Sequence, residues 1–315
     1  MNRAKASVII ATYHRPDTVR ASVESCLAQD YGNLEIIVVD DNGQGSDFQI
    51  ETRKVLSDLI DEKRIVYLAN EKNSRVSQTR NNGINAASGK YILFLDDDDI
   101  FLPRKVSYQV SFLEQNPGYD GHAVGYQIMR NRGKTKADSI PVIGDFQHFA
   151  INGNSYTPML CIKKEAIISV GGFKNVPQNE DYFLVLELLE ANYKVYADER
   201  PLYLFNEQPH ARVTLQDFEK TETMVAFFRA YLEKHRNRFT DENWNKAQAR
   251  FITMTALRYY YEAYGYRIKT IPSWWKCYRM TGDRFYLKMI IKSITPEGLN
   301  NKIVSILKKI NYRDA

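Results

Sequence analysis

Four consecutive carboxylates, Asp96, Asp97, Asp98 and Asp99, follow the apolar run YILFL. Buried together without compensation they would repel one another strongly, so the run needs a cation or solvent. A hard divalent ion meets that need. Mg2+ or Mn2+ takes one or two protein carboxylates and fills its other positions from substrate phosphates and water. The plain alternative is a solvated acidic turn at a strand end. A second acidic pair, Glu180-Asp181, precedes the apolar stretch YFLVLELL, where a helix N-terminus favours an acid in any case. The loop Asn42-Gly43-Gln44-Gly45 is glycine-rich but lacks a phosphate-loop or dinucleotide fingerprint.

The elements around these residues alternate short apolar runs with helix-period segments, the signature of a parallel sheet covered by crossover helices. Strands are expected at Ser7 to Ala11, Glu35 to Val39, Ile65 to Leu68 and Tyr91 to Leu95. The acidic run then lies at the carboxyl end of the fourth, where ligands of open α/β folds bind. Val19, Val23, Cys26 and Leu27 make one helical stripe, and Val55, Leu56, Leu59 and Ile60 another. A third helix, about Ser74 to Ser88, is expected to stop at Gly89 as a left-handed cap. Pro103 is placed to open a helix through Val106, Val110 and Leu113, closed by Asn116-Pro117-Gly118. Asn131 to Pro158 reads as loops with short strands.

Past about Leu215 the pattern is helical, which divides the chain into 1–215 and a helical C-terminal region, 216–315. From Leu299 the sequence gathers Ile303, Ile306, Leu307 and Ile310 on one stripe with Lys302, Lys308 and Lys309 elsewhere. This basic amphipathic tail, 299–315, suits peripheral contact with an anionic membrane, or packing on its own protein or on a second subunit in a homo-oligomer. Tyr259, Tyr260, Tyr261, Tyr264 and Tyr266 form an aromatic cluster that reads mostly as core.

With 44% hydrophobic and 12% aromatic residues in 315, the chain can bury a sizeable core, which excludes intrinsic disorder. Its three cysteines are odd in number and form no metal-type pair, pointing to a reducing compartment. The apolar runs are strand-sized, well short of the roughly 20 residues that span a bilayer. A cytoplasmic protein is expected, peripheral on the inner membrane face if the tail binds there. Net charge is +5, but residues 276–315 alone carry nine basic and three acidic residues, so the body is near neutral. That distribution fits an anionic surface as partner and no nucleic acid, for which no binding module is present.

Four blocks in order, SVIIATYHRP, LEIIVVDDN, TRNNGINAASGKYILFLDDDDIFLPRKV and GGFKNVPQNEDYFLVLELL, resemble the inverting family 2 of glycosyltransferases. The resemblance covers roughly residues 5 to 215. It implies an α/β fold, the Rossmann-like type A glycosyltransferase domain with a mostly parallel sheet, and transfer of a sugar from a nucleotide diphosphate donor with inversion. Position by position, it sets Thr12, Tyr13 and Arg15 against the base and ribose of the donor and Asp40 at the base. Arg80 with Asn81 matches the pair ahead of the metal strand. The match sets Asp96, Asp97 and Asp98 at the nucleotide and metal, with Asp98 as principal metal ligand and Asp96 or Asp97 at the ribose; strand alternation does not settle Asp99, which is also placed to cap the helix that Pro103 helps begin. Asp181 matches the base that takes the acceptor's proton, and His210 a histidine near the metal or diphosphate. Arg75 departs from the pattern, standing where relatives carry a glycine.

The expected activity is therefore metal-dependent transfer, with Mn2+ or Mg2+, of a hexosyl or N-acetylhexosaminyl group from a UDP-sugar. The acceptor is a hydroxyl on a glycan or lipid-linked intermediate of surface polysaccharide synthesis. A sugar nucleotidyltransferase would carry a glycine-rich basic segment where ATYHRP stands. A rival from another class is a catalytically silent glycan-binding or scaffolding protein that keeps the fold.

Overall fold

A computed structural model describes residues 3–130, 133–134, 139–176, 178–206, 218–262 and 267–295. The chain divides into two compact units, Met1–Arg212 and Val213–Ala315.

In the first unit, β1 (Ala6–Thr12), β2 (Leu34–Asp40), β3 (Val66–Ala69) and β4 (Tyr91–Asp96) run parallel in the order β3-β2-β1-β4. β1, β2 and β4 are almost wholly buried, which is why they read as continuous apolar runs. Burying each Val, Leu or Ile of such strands contributes about 1.5–3 kcal/mol before entropy is counted. The crossovers are α1 (Val19–Leu27), α2 (Asp47–Val55) with α3 (Ser57–Asp61), and α4 (Arg75–Ala86). Val19, Val23 and Cys26 of α1 are buried, as the stripe requires. The stripe through Leu56 and Leu59 is buried too, but the helix breaks at Leu56.

Gly89 does not cap α4 with a left-handed residue. The helix ends at Ala87 in an extended conformation, and Gly89 instead lies against β1. A Cβ there would sit 2.5 Å from Ser7 Oγ and 2.7 Å from Ser7 N, so close approach of backbones is the constraint. Its N–H donates to Ser7 Oγ at 2.9 Å.

After β4 come β5 (Ile100–Phe101), α5 (Lys105–Gln115), β6 (Gly121–Arg130), β7 (Gly133–Lys134), α6 (Phe146–Asn152), β8 (Leu160–Lys163), α7 (Lys164–Ser169), α8 (Glu180–Glu190) and β9 (Val195–Asn206). Among the described residues nine strands join one sheet, continuing from β4 through β8, β6 and β9 to β5, with β7 on β6. The long ladders are parallel, and the antiparallel pairings are short. Because β5 follows β4 after three residues yet pairs with β9 at the far end of the order, the sheet curls around the acidic run. Register shifts at Gly125 bend the β6–β9 pair. Within 131–158, α6 is a helix capped by Asp145, which accepts from His148 N at 2.7 Å.

The second unit is helical: α9 (Phe218–Lys234), α10 (Asp241–Glu262), α11 (Ile271–Thr281) and α12 (Arg284–Ile294). Met224, Val225, Phe228 and Leu232 of α9 and Ala247 and Phe251 of α10 are buried, matching the helical periods. Tyr260 is core; the side chains of Tyr259, Tyr261, Tyr264 and Tyr266, the boundary near Leu215 and the tail 299–315 lie outside the described residues. No helix among the described residues is long and apolar enough to cross a membrane. The three cysteines are free and buried.

Candidate active site

The site grows from the carboxyl ends of adjacent parallel strands. Register places Ala11 beside Asp96 and Thr12 beside Asp40, so β1, β2 and β4 end in one row. Between β1 and β4, crossover connections leave in opposite directions, and the crevice this opens is where α/β sheets bind ligands. Thr12 is buried at that edge, and the backbone N–H of Tyr13 donates to Asp97 Oδ2 at 3.2 Å. Arg15 bonds Asp98 and lies 3.8 Å from Asp97. One guanidinium thus answers two carboxylates of the acidic loop.

Burial pushes the Asp97 carboxyl up to about 6, against the pull of Arg15 and the bond from Tyr13. Burial also raises Asp99 well above the usual carboxylate range, with Asp96 and Asp97 adding to it. Asp99 does not cap the next helix: it is fully buried, accepts from Asn206 N at 2.9 Å, and α5 starts after Arg104. Its role is to tie the acidic loop to the end of β9, while its Oδ2 has no hydrogen-bond partner among the described residues.

Asp40, fully buried, accepts from Tyr67 Oη at 2.6 Å and from Asn42 N at 2.9 Å. Gln49 in turn donates to Tyr67 Oη at 3.2 Å, fixing the far side of the pair. Asp41 accepts from Asn70 Nδ2 and Ser74 N, each at 2.7 Å, and so fixes the start of α4. Outside this wall Tyr13, His14 and Phe48 form a continuous stack, with ring centroids 3.8 Å and 4.2 Å apart. Tyr13 is 46% and Phe48 40% exposed, so the stack offers aromatic faces to a planar ligand.

The second half of the site is held by α4. Arg80, only 6% exposed, donates Nη2 to Asp96 at 2.8 Å and Nη1 to Glu180. Its ring neighbour is Phe173, 5.4 Å away. Asn81 next to it grips the backbone of Phe173, accepting from its N–H at 2.9 Å and donating to its carbonyl at 2.8 Å. Gly172 allows that grip: its φ is +70°, and a Cβ would meet Asn81 Oδ1 at 2.5 Å.

Asp181 follows in the first turn of α8, after Asn179 as the N-cap residue, and accepts from Tyr182 N at 2.7 Å. Burial raises its carboxyl to about 7, with Glu180 adding and Arg80 opposing. A carboxyl poised there exchanges a proton near neutral pH, as a general base must.

The structure therefore brings Thr12, Tyr13, Arg15, Asp96, Asp97 and Asp98 together, with Asp40 at the adjoining strand end. Asp181 is joined to them through Arg80. His210 lies outside the described residues. Sequence reasoning missed Tyr67, His14 and Phe48, and the tie of Glu180 to Arg80. Tyr67 sits on a short half-exposed strand and Phe48 in a polar stretch, and Glu180 looked like a helix-start acid; no motif marks the three as partners.

Among the described residues no group of three or more His, Cys, Asp or Glu side chains forms a metal cage. The donor set nevertheless suits a hard divalent ion, which needs only one or two carboxylates when phosphates supply the rest. Asp98 and Asp97, which share a single guanidinium, and the unpartnered Asp99 Oδ2 are oxygen donors of that kind.

Residues 7–174, just over half the chain, match Glycosyl transferase family 2. The Escherichia coli UDP-Glc:alpha-D-GlcNAc-diphosphoundecaprenol beta-1,3-glucosyltransferase WfaP is 31% identical over 192 residues, 60% of this chain and 71% of the relative. Staphylococcus aureus TarS 1–349, solved with UDP-GlcNAc, superposes with a TM-score of 0.54 at 17% identity, covering 91% of this chain and 90% of that one. The mannosyltransferase PcManGT of Pyrobaculum calidifontis, solved with GDP-Man and Mn2+, gives 0.59 at 13% identity over 97% and 80%. With the sheet order, the acidic loop and the four sequence blocks already in place, the chain belongs to glycosyl transferase family 2 and is a glycosyltransferase with the type A fold.

Proposed function

We propose that this protein transfers a sugar from a UDP-sugar to a hydroxyl of a glycan or lipid-linked acceptor in surface polysaccharide synthesis, with inversion at the anomeric carbon. The observation that carries the reading is the Arg80 bridge, which holds the acidic loop and the Asp181 turn as two sides of one site. The WfaP relative, named for a UDP-Glc donor and a diphosphoundecaprenol acceptor, supports the donor and the lipid-linked class.

Tyr13, with His14 and Phe48 stacked behind it, provides the stacking face for the base, while Asp40, fully buried, supports that wall through Tyr67 and Asn42. Thr12, Arg15, Asp96 and Asp97 line the ribose and phosphate side. Asp98, with His210, would hold Mn2+ or Mg2+. When bound, the ion supplies positive charge to the departing diphosphate. Arg15 is then free to turn from Asp98 to a phosphate oxygen, since a guanidinium matches either anion.

Asp181 takes the proton of the acceptor hydroxyl as that oxygen forms its bond to the anomeric carbon. The bond from that carbon to the diphosphate oxygen breaks, and the nucleoside diphosphate leaves with the electron pair. Arg80 engages Glu180 in an ion pair, so the exchange falls to Asp181.

Titration calorimetry of the purified protein with UDP and with GDP, each with and without Mn2+, tests the donor assignment. Mn2+-dependent binding of UDP is expected. Binding of GDP alone would reassign the donor, and binding of neither would remove the proposal.

A further inference from the structure

Helices α11 and α12 each use one face to build the core of the second unit. Trp274 and Cys277 of α11 and Tyr286 and Met289 of α12 join Ala249, Ala256 and Tyr260 of α10 in a single buried cluster. A helix so placed in a water-soluble unit turns a polar face outward. These two expose apolar side chains as well. In α12, Leu287, Ile291 and Ile294 recur at i, i+4 and i+7 along one flank of the core face, with Ile291 39% and Ile294 59% exposed. Beside that strip runs a second one, Arg284, Lys288 and Lys292, at i, i+4 and i+8.

The outward face of α11 repeats the combination. Pro272, Trp275, Lys276 and Arg279 share it, and Trp275 is 50% exposed while its neighbour Trp274 is fully buried. Phe285, at the start of α12, is 44% exposed. Residues 271–295 hold five basic side chains and one acid, Asp283, whose carboxylate is engaged in capping α12 through Phe285 N at 2.8 Å.

Apolar strips flanked by cations, with an exposed indole and almost no acid, match the boundary between headgroups and acyl chains of an anionic bilayer. Indole and long cationic side chains bridge the two media there, and each cation is attracted by the surface potential. A second copy of this chain is the poorer occupant, because five cations would face five. We propose that the outward faces of α11 and α12 dock this unit on an anionic lipid surface. Trp275, Ile291 and Ile294 enter the acyl boundary, and Lys276, Arg279, Lys288 and Lys292 meet the phosphates. These residues precede the tail 299–315 in the chain, and the proposal does not rest on the donor assignment.

The test is sedimentation of the full chain with vesicles of phosphatidylcholine alone or mixed with phosphatidylglycerol, in the absence of nucleotide. Binding is expected only to the mixed vesicles and should fall about tenfold or more in Lys288→Glu/Lys292→Glu, given two reversed charges at the surface. Ile291→Ser/Ile294→Ser should weaken it as well. Brominated lipid should quench fluorescence of the wild type and not of Trp275→Phe. Unchanged UDP affinity and unfolding temperature in these variants separate lost docking from a damaged enzyme. The proposal is overturned if the wild type ignores anionic vesicles. It is equally overturned if only deletion of 299–315 abolishes binding, or if the variants change the oligomeric state while vesicle binding persists.

Discussion

Arg80 and Glu180, a hundred positions apart in the chain, form an ion pair in which both side chains are mostly buried. The other end of the same guanidinium holds Asp96 at the head of the acidic loop. Breaking a buried pair leaves charges uncompensated, at a cost of about 3–5 kcal/mol. Arg80→Met should therefore lower stability by that order in chemical unfolding. Arg80→Lys keeps the charge but not the two-pronged geometry, and should retain more stability than activity.

The Asp181 carboxyl, raised to about 7 by burial and by Glu180, must ionise before it can accept a proton. Initial rates should climb with pH through about 7 and level off above it. Glu180→Gln removes a charge that pushes the carboxyl up, so the midpoint of the climb should move to lower pH. A midpoint that stays in place would separate the titration from Asp181.

The same shift has a consequence for stability. An unfolded Asp loses its proton near pH 3.9, whereas the native protein holds that of Asp181 to about 7. Between those values the native state binds the extra proton, so this group's contribution to stability falls as pH rises. Asp181→Asn should gain in melting temperature relative to wild type between pH 5 and pH 8. A gap that narrows over that range would contradict the assignment.

Much of the nucleotide side was legible because it is local. Apolar runs fixed the strands, and the family blocks carried Thr12, Tyr13, Asp40 and Asp96 to Asp98 to strand ends that the register then aligned. What was hidden depends on contacts between distant elements. Asp99 looked free to cap a helix until the curl of the sheet brought Asn206 to it. Gly89 looked like a helix stop, but the approach of β1 is what demands it. Arg75, odd by family pattern, has φ +67°, a conformation glycine adopts without strain, so the departure has a backbone meaning independent of the donor.

Gly172→Ala should destabilise the protein by about 1–3 kcal/mol, because its backbone is left-handed and the new methyl meets Asn81. Asn81→Ala removes the obstacle but also the clamp on Phe173. The double variant should be less damaged than the sum of the two singles, the signature of a shared contact. Urea unfolding of the four proteins reads this directly.

Chelation tests the acidic loop. Removing divalent ions should abolish turnover, and Mn2+ should restore it in the wild type but not in Asp98→Asn. Tyr13→Ala should weaken UDP binding by about 1 kcal/mol through loss of the stacking face, leaving the metal requirement intact.

The central claim is that Asp181 removes the acceptor's proton while the acidic loop holds the donor. The most direct measurement is the transfer rate of Asp181→Asn with Mn2+ at saturating UDP-sugar, set beside its affinity for UDP. A loss of about 100- to 10,000-fold in rate, the usual contribution of a general base, with UDP affinity unchanged, is the predicted result. Equal rates in the variant and the wild type would contradict it.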